Sequence, residues 1–458
     1  MHDNIRTIRN TVLARIKPSP DERNKLAELA RRIAGYIQDE GVSCELVGSA
    51  ARKTWISGEH DLDLFLMFPT TLSREELKVD GLRIAKSVAN RADSYEIRYA
   101  EHPYVHARFD GYRVDLVPCY RIESAKELKS AVDRTPFHNK YVLSKIGGLE
   151  DDVLLLKRFM KCADVYGSEL RVHGFSGYLC ELLIIHYGSF LEALAFACDW
   201  RDGLSIEPGV STSYRDSNAG IAPGGVWEPL CMIDPTDPNR NVAAALSLDQ
   251  FYTFVDAARG FLAEPSIEWF FAEPVPPVDK SEITGAIAAR GTDLLAVVFE
   301  IPDMVEDIVY PQLYKMEQSV LSMLAEREFA VLGSAATVLP AGMTAENVVL
   351  LIELVSGELP ALKKHIGPPV YMQNHAERFK AKFVAKDTFS GVYIEDGRYV
   401  VDIRRKYRLA KDLLESELSS CALGKQLREC VRAGCVVLER DEITDALDCE
   451  FLNRFLRK

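Results

Sequence analysis

The sequence has no long uncharged apolar run of the kind that crosses a membrane. The best candidate, 179–200, is interrupted by two glutamates and a histidine, so it falls short of the roughly 18 apolar residues that a membrane-spanning helix needs. No basic stretch leads into an apolar one near the start of the chain, as an export signal would require. We therefore expect a protein without a membrane span that works in the cytoplasm.

The sequence also has no regular cysteine spacing. Its 10 cysteines are scattered as singles, and the closest pair, Cys430 and Cys435, matches no common zinc-site spacing. A disulfide-stapled fold would be small and dense in cysteine, which this chain is not. We expect reduced thiols.

An excess of positive charge is missing as well. The chain carries 55 Lys and Arg against 68 Asp and Glu, a net charge of −13, which argues against a uniformly basic nucleic-acid binder. Salt screens the interaction between charges over about 8 Å at physiological ionic strength, so a local surface can be basic although the net charge of the chain is negative. Residues 363–411 hold twelve Lys and Arg and five acids, a local net charge of +7. This stretch is either a nucleic-acid-binding surface or an ordinary solvated face.

The length and composition predict a multidomain globular protein. At roughly 150 residues per domain, 458 residues correspond to three or four domains, and 47% hydrophobic with 27% charged residues is ordinary for globular proteins. An α/β region comes first, then a helical region, then a β-α-β-β unit after a proline-rich linker, and finally the basic stretch. The predicted domain ranges are 1–148, 149–264, 265–362 and 363–458.

Capping boxes, hydrophobic periodicity and turn signals predict the individual elements. Predicted helices begin after Ser19 and Ser73 and cover 151–164, 175–199, 247–263 and 311–328. Predicted strands cover 44–48, 61–68, 95–100, 104–109, 112–118, 293–301, 329–337 and 347–355. Hairpins are expected at Asp110-Gly111 and Asp396-Gly397, and 203–238 is expected to be irregular.

Three aspartates form the sharpest chemical signal. Asp61 and Asp63 share one face of a predicted strand because side chains alternate, and Asp115 lies on another strand of the same region. Neighbouring strands lie about 4.8 Å apart, so three carboxylates can converge on metal ions. Like charges so gathered repel unless a cation sits among them, and Mg²⁺ favours such oxygen ligands. A DxD alone is a frequent accident, and its ordinary interpretation is an exposed strand face.

The Gly48-Ser49 pair strengthens the signal. It lies where a strand passes into a short predicted helix, so that the glycine allows close backbone approach and the free N–H groups favour a phosphate. Arg52, one turn further, could add charge-assisted hydrogen bonds to the same phosphate. The conjunction of this pair, the DxD and the third aspartate predicts a nucleotide site.

This GS…DxD…Asp pattern resembles that of the DNA polymerase β-like nucleotidyltransferases. More narrowly, the segments VGSAARKTW, DLDLFLMF, VDLVPCY, SAVDRTPFHNKY and GFSGYLCELL are similar to those of the archaeal, class I CCA-adding enzymes. The resemblance implies an α+β multidomain fold: a polymerase β-like head with a mixed sheet, a helical neck, and C-terminal α/β RNA-binding domains with a ferredoxin-like unit. It implies template-independent addition of CCA to tRNA from CTP and ATP, with two Mg²⁺ ions.

The resemblance also implies roles for individual residues. Asp61, Asp63 and Asp115 match the family's catalytic, metal-binding carboxylates. The positions that match nucleotide-binding residues are Gly48, Ser49, Arg52, His138, Lys157, Tyr166 and Arg240. The C-terminal domains would hold the acceptor stem and TΨC arm of tRNA, and a homodimer is left open.

From the residues alone, other interpretations stay open. Lys157 and Lys161 share a helix face that could simply be solvated, Tyr166 fits core packing as well as nucleotide contact, and lone histidines such as His102 and His106 are usually structural. A poly(A) polymerase-like enzyme or a catalytically inactive RNA-binding module would fit much of the pattern. An antibiotic-modifying type of nucleotidyltransferase would not need the long region after the linker.

Overall fold

The structure is a computed structural model that describes residues 2–457, except 60, 100–101, 125–126, 209–212, 215–226, 273–276, 303, 341–345 and 385. The chain forms two compact units, Met1–Pro274 and Val275–Lys458. The four predicted domain ranges stay a prediction.

The first unit contains helices and strands in mixed order. Its helices are α1 His2–Ile16, α2 Pro20–Asp39, α3 Gly48–Arg52, α4 Arg74–Ala89, α5 Thr135–Lys145, α6 Glu150–Cys162, α7 Gly177–Tyr187, α8 Phe190–Ala197 and α9 Leu248–Ala263. Its strands are β1 Ser43–Val47, β2 Asp61–Pro69, β3 Ser94–Tyr99, β4 Pro103–Phe109, β5 Tyr112–Arg121, β6 Leu204–Ile206, β7 Ser213–Tyr214, β8 Leu230–Asp234 and β9 Asp237–Asn241.

A mixed five-stranded sheet organises the head of this unit. Its strand order is β1-β2-β5-β4-β3. Only β2 and β5 pair in parallel, and the other neighbours are antiparallel. Leu62, Leu64 and Leu66 on β2 are buried in one core with residues of α2 and α4. The alternate residues of β2, including Asp61 and Asp63, therefore lie on the opposite face of the sheet. The predicted mixed sheet is confirmed.

The helices of the first unit share a second core. Phe159 on α6 is fully buried and makes ring contacts with Phe190, Phe254, Phe261, Trp269 and Phe270. Helix α1, for which the sequence analysis made no prediction, contributes four residues to this core rather than to the sheet core. The N-terminal segment thus packs with the helical region.

The predicted helix 175–199 is wrong in one respect, because it is two helices. Gly188 adopts a positive φ of 85° and ends α7, and the Ser189 side chain then caps α8 by accepting from the Glu192 backbone N–H. The two helices are bent by 93° at this break. Among the described residues no single helix is long and apolar enough to cross a membrane, and only this bent pair passes that test jointly.

The expectation of irregular structure over 203–238 is also wrong where the structure describes this stretch. Strands β6, β8 and β9 form a small sheet with β7 in the order β7-β6-β8-β9. These strands have two to five residues, and β9 contains Pro238. Such short strands produce too little alternation to outweigh the glycine and proline signals.

The second unit is also α+β. Its helices are α10 Lys280–Arg290, α11 Glu306–Glu326, α12 Gln373–Val384, α13 Ala410–Glu417, α14 Lys425–Ala433, α15 Asp441–Ala446 and α16 Cys449–Leu456. Its strands are β10 Asp293–Ile301, β11 Val331–Pro340, β12 Glu346–Leu354, β13 Leu362–Pro369, β14 Tyr393–Glu395, β15 Arg398–Arg404 and β16 Val436–Glu439.

The predicted β-α-β-β unit is β10-α11-β11-β12. It forms an antiparallel sheet in the order β11-β12-β10-β16, in which the late strand β16 adds to the free side of β10. Strands β13, β14 and β15 make a separate three-stranded sheet, on which Phe379 and Phe383 of α12 pack. The predicted hairpin joins β14 to β15 through Asp396 and Gly397, both with positive φ.

Truncating the central ring of the helical core tests this packing. We expect Phe159→Ala to lower the free energy of unfolding of the first unit by about 3–5 kcal/mol, because it leaves a cavity ringed by aromatic side chains. Phe196→Ala, at a ring that is 53% exposed, is the control and should cost less than about 1 kcal/mol. Denaturant titration measures both, and equal losses for the two variants would contradict this description of the core.

Candidate active site

The pairing of β2 with β5 brings two of the predicted carboxylates side by side. Asp63 and Asp115 are direct partners in the parallel register of these strands. On the other side of β5, His106 of β4 is the register partner of Asp115. Its Nδ1 donates a hydrogen bond to Asp115 Oδ1 over 2.5 Å. A histidine and two carboxylates thus form one row across three strands.

The Asp63 carboxyl group is destabilised in its charged form. Burial raises the pKa of Asp63 to about 7, the nearby charges of Asp115 and Asp61 add to this, and Arg52 opposes it. Burial likewise raises the pKa of Asp115, although the hydrogen bond from His106 opposes the shift. These carboxylates lie close enough together to repel one another.

Asp61 stands in a more open position. Its side chain is 53% exposed and pairs with the Arg113 guanidinium over 2.5 Å. Within the described part of the chain, no group of three His, Cys, Asp or Glu side chains is arranged to hold a metal ion. The convergence expected from the sequence is found for Asp63 and Asp115, and the metal-ligand role of all three aspartates stays a prediction.

The chemistry of this group nevertheless fits a divalent cation. The donors are hard carboxylate oxygens, which Mg²⁺ favours. A cation among them would offset the repulsion from Asp115 and Asp61, which adds to the effect of burial on the pKa of Asp63. The Gly48 backbone lies directly against the Asp63 carboxylate. A Cβ at this position would lie 2.0 Å from Asp63 Oδ2, so a larger residue does not fit there.

A polar cavity of about 370 Å³ adjoins this face and brings together four of the predicted residues. It is lined by Ser49, Thr54, Trp55, Ile56, Glu59, Asp61, Arg113, Lys157, Lys161 and Tyr166. Three of these side chains are cationic and two are acidic: Lys161 pairs with Glu59 and Arg113 with Asp61, each over 2.5 Å. The remaining cation, Lys157, and the exchangeable ion pairs suit an anionic group such as a phosphate chain.

Lys157 and Tyr166 occupy buried walls of this cavity. Lys157 is only 4% exposed, so the interpretation of this lysine as part of a solvated face is wrong. Its Nζ donates to the Thr54 backbone carbonyl over 2.9 Å. Burial lowers the pKa of Lys157, while the Glu181 carboxylate counteracts part of that shift. Burial also raises the pKa of Tyr166, so its hydroxyl keeps its proton.

Arg52 is buried and already has protein partners. Its Nε donates to Glu181 Oε1 over 3.0 Å, and its Nη1 lies 3.4 Å from Asn139 Oδ1. The Thr54 hydroxyl donates to the same Glu181 oxygen over 2.5 Å. The direct triphosphate contact predicted for Arg52 stays a prediction, and the structure adds that this guanidinium is bound to Glu181.

His138 and Arg240 meet at a different carboxylate, Asp234. His138 Nε2 and Arg240 Nη1 each donate to Asp234 Oδ2 over 2.8 Å. Burial alone would raise the pKa of Asp234, but the hydrogen bonds from His138 and Thr236 outweigh it and hold the pKa below its usual value. The His138 ring also stacks on Tyr178 with 4.2 Å between centroids.

Sequence reasoning missed three residues that organise the site: Glu181, Asp234 and His106. Glu181 did leave a signal, since it is the one acid within the apolar run 179–185. Asp234 and His106 left weaker sequence signals, because the residues to which they are hydrogen-bonded lie in other elements of the fold.

Family models match most of the chain. A nucleotidyltransferase domain matches residues 27–138, a tRNA nucleotidyltransferase second domain matches 151–271, and a CCA-adding enzyme C-terminal domain matches 290–440. These three matches follow one another along the chain.

Curated relatives match over nearly the full length. The chain is 47% identical to a CCA-adding enzyme of Methanosarcina acetivorans, over 98% of this chain and 96% of the relative. It is 42% identical to a CCA-adding enzyme of Halobacterium salinarum, over 96% and 95% respectively. A solved structure of a cytoplasmic RNA terminal U-transferase aligns with a TM-score of 0.47 at 12% identity, covering 60% of this chain and 100% of that one.

Neutralising the buried carboxylate tests the electrostatic description of the site. In chelator at about pH 8, we expect Asp63→Asn to stabilise the protein by about 2–4 kcal/mol, because the wild-type carboxylate must ionise at a buried position. A carboxyl group whose pKa is raised on folding costs stability as the pH rises from its unfolded pKa through its folded one. The gain should therefore vanish at about pH 4. Thermal unfolding at both pH values measures it.

The control for this test is Asp61→Asn at the exposed neighbour. Its effect should stay within about 1 kcal/mol at both pH values. An Asp63→Asn protein no more stable than wild type at the higher pH would contradict the raised pKa.

Proposed function

The chain belongs to the archaeal family of CCA-adding enzymes, and from that premise we propose that it adds CCA to tRNA 3′ ends without a nucleic-acid template, using CTP and ATP. The observation that supports this most directly is the Asp63–Asp115 pair beside a cavity with three cationic side chains. We infer that it acts in the cytoplasm, where its substrates are found.

The proposed reaction is an in-line nucleotidyl transfer. The RNA 3′ oxygen forms a bond to the α-phosphorus of the nucleotide, the bond to the β-phosphate oxygen breaks, and pyrophosphate leaves. Asp61, Asp63 and Asp115 would hold two Mg²⁺ ions, which would make the hydroxyl more acidic and offset charge on the phosphates. His106 fixes the orientation of Asp115 through its hydrogen bond.

The cationic walls of the cavity would bind the triphosphate. Lys157, Lys161 and Arg113 line the cavity, and Ser49 lies at the same surface. Because both nucleotides carry the same triphosphate, this part of the site serves CTP and ATP alike. Base choice has to come from another part of the site.

We assign base choice to Arg240. Its side chain is 36% exposed, and within the described part of the chain its bond to Asp234 is made by Nη1, so the other guanidinium donors can reach the acceptor edge of a base. A pocket that selects by hydrogen bonds rejects bases that leave those donors unpaired. Asp234 would therefore determine how Arg240 presents its donors.

The tRNA would be held by the basic stretch 363–411 of the second unit. Several of its cations form ion pairs with acids, for example Lys364 with Glu395. Lys380, Lys382 and Lys386 instead lie over the rings of Tyr399 and Phe383. We therefore propose that these lysines, in the region of α12, make phosphate contacts with the acceptor stem and TΨC arm. Such binding should weaken steeply with salt.

A direct assay tests the proposed function. The protein is incubated with Mg²⁺ and a tRNA that ends before CCA, with labelled CTP and ATP supplied singly and together. We expect CTP alone to add two nucleotides and both together to complete CCA. A long adenosine tail would instead indicate a poly(A) polymerase, and no incorporation an inactive RNA-binding protein. Near-wild-type incorporation by Asp115→Ala would refute the role of that carboxylate.

Asp234→Asn tests base selection separately from catalysis. The carboxylate has two acceptor oxygens, whereas the amide of asparagine has one acceptor oxygen and one donor nitrogen. If the nitrogen replaces Oδ2, Arg240 and His138 lose their acceptor; if it replaces Oδ1, Thr236 loses its acceptor. We expect the ratio of CTP to UTP incorporation to fall by about tenfold, with addition still occurring. Asp237→Asn on the same hairpin, where the acid pairs with Arg134 over 3.1 Å, is the control. Unchanged selectivity in Asp234→Asn would show that Asp234 does not orient Arg240 for base choice.

A further inference from the structure

Glu181 is an isolated acid in a buried helix. Its side chain is 0% exposed, and its neighbours Cys180 and Leu182 on α7 are buried as well. A buried carboxylate is costly unless it is matched by cations and hydrogen-bond donors. The residues around Glu181 therefore indicate why an acid is retained there.

Where the structure describes the chain, the hydrogen-bond donors to Glu181 come from residues 48–54, the proposed phosphate loop. Arg52 Nε and Thr54 Oγ1 both bind Oε1, over 3.0 and 2.5 Å. The second oxygen, Oε2, is buried and has no hydrogen-bond partner among the described residues. Helix α7 of the helical region thus holds the end of α3 in the head through a single oxygen atom.

Lys157 joins the same cluster from α6. Its Nζ lies 3.9 Å from Glu181 Oε1 and donates to the Thr54 carbonyl over 2.9 Å. With Arg52, the cluster contains two cations and one carboxylate. This cluster forms part of the wall of the cavity lined by Ser49, Thr54 and Lys157.

The phosphate loop needs such an external anchor. Helix α3 has only five residues, has no side-chain cap at its start and ends at Lys53 in the left-handed conformation with a φ of 59°. So short a helix is not stable by itself, and a left-handed residue other than glycine has to be held by its surroundings. Arg52 and Thr54 flank Lys53, and Glu181 binds both.

We propose that Glu181 is a positioning residue for the nucleotide triphosphate. It fixes Arg52, Thr54 and Lys157 in one arrangement at the cavity wall and does not itself contact the nucleotide. The inference rests on the proposed function for the identity of the ligand. Because it concerns the phosphate chain alone, loss of Glu181 should affect CTP and ATP equally, unlike changes at Asp234 or Arg240.

Glu181→Gln, which keeps the size of the side chain, tests the proposal. We expect the KM for CTP and the KM for ATP to rise by the same factor, about tenfold or more, because Arg52 and Lys157 lose the carboxylate charge that holds them in place. The inhibition constant of pyrophosphate should rise by a similar factor. So should the dissociation constant of inorganic tripolyphosphate, measured by calorimetry with Mg²⁺. The KM for tRNA should not change.

Asp152→Asn is the matched control. Asp152 lies on α6, the helix that carries Lys157; its side chain is 14% exposed and pairs with Arg9 over 3.2 Å. Its loss removes a half-buried charge from a helix of the same core without touching Arg52 or Lys157. We expect lower thermal stability with unchanged constants for CTP, ATP and tripolyphosphate.

Each outcome is decisive. Constants for Glu181→Gln within about twofold of wild type, an effect on only one nucleotide, or the same change in Asp152→Asn would overturn the proposal. If Glu181→Gln does not fold, Thr54→Val removes one donor and should shift both nucleotides in the same direction; no shift would overturn it. If tripolyphosphate binding follows the expected pattern but the wild type adds no nucleotide to tRNA, the proposed function fails and the role of Glu181 stands.

Discussion

The parallel pairing of β2 with β5 is the constraint on which the site depends. Its register places Asp63 directly beside Asp115 on a face where burial raises the pKa of both carboxyl groups. The sheet buries leucines on one face and gathers carboxylates on the other, where they repel one another. The basic cavity, the glycine at position 48 and the hydrogen bond from His106 all lie around this pair.

Buried polar contacts connect the two parts of the site. Adjacent residues of α5 reach both, since His138 binds Asp234 on the Arg240 side and Asn139 accepts from Arg52 on the phosphate side. From Arg52 the contacts continue through Glu181 to Thr54 and Lys157. The head and the helical region are therefore joined by one polar network, in which the proposed base selection and the proposed phosphate binding would use separate carboxylates.

Local patterns were enough to predict the sheet and its aspartates. Alternation along 61–68 placed Asp61 and Asp63 opposite the leucines, and capping boxes located α2 and α4. Side-chain contacts between distant segments could not be predicted this way: Glu181 lies 129 residues from Arg52, and the partner of His138 is 96 residues away. The break at Gly188 was missed because apolar residues at helical spacing lie on both sides of it. The short strands after 203 were missed because glycine and proline signals outweighed their few alternating residues.

The central claim is that Asp63 and Asp115 share a divalent cation, and Mn²⁺ binding tests it most directly. Electron paramagnetic resonance counts the bound Mn²⁺ per chain in the presence of CTP, with Mn²⁺ used as a spectroscopic substitute for Mg²⁺. The account predicts tight binding by the wild type that is lost in Asp63→Asn and in Asp115→Asn, each verified as folded. Undiminished Mn²⁺ binding by either variant would contradict it.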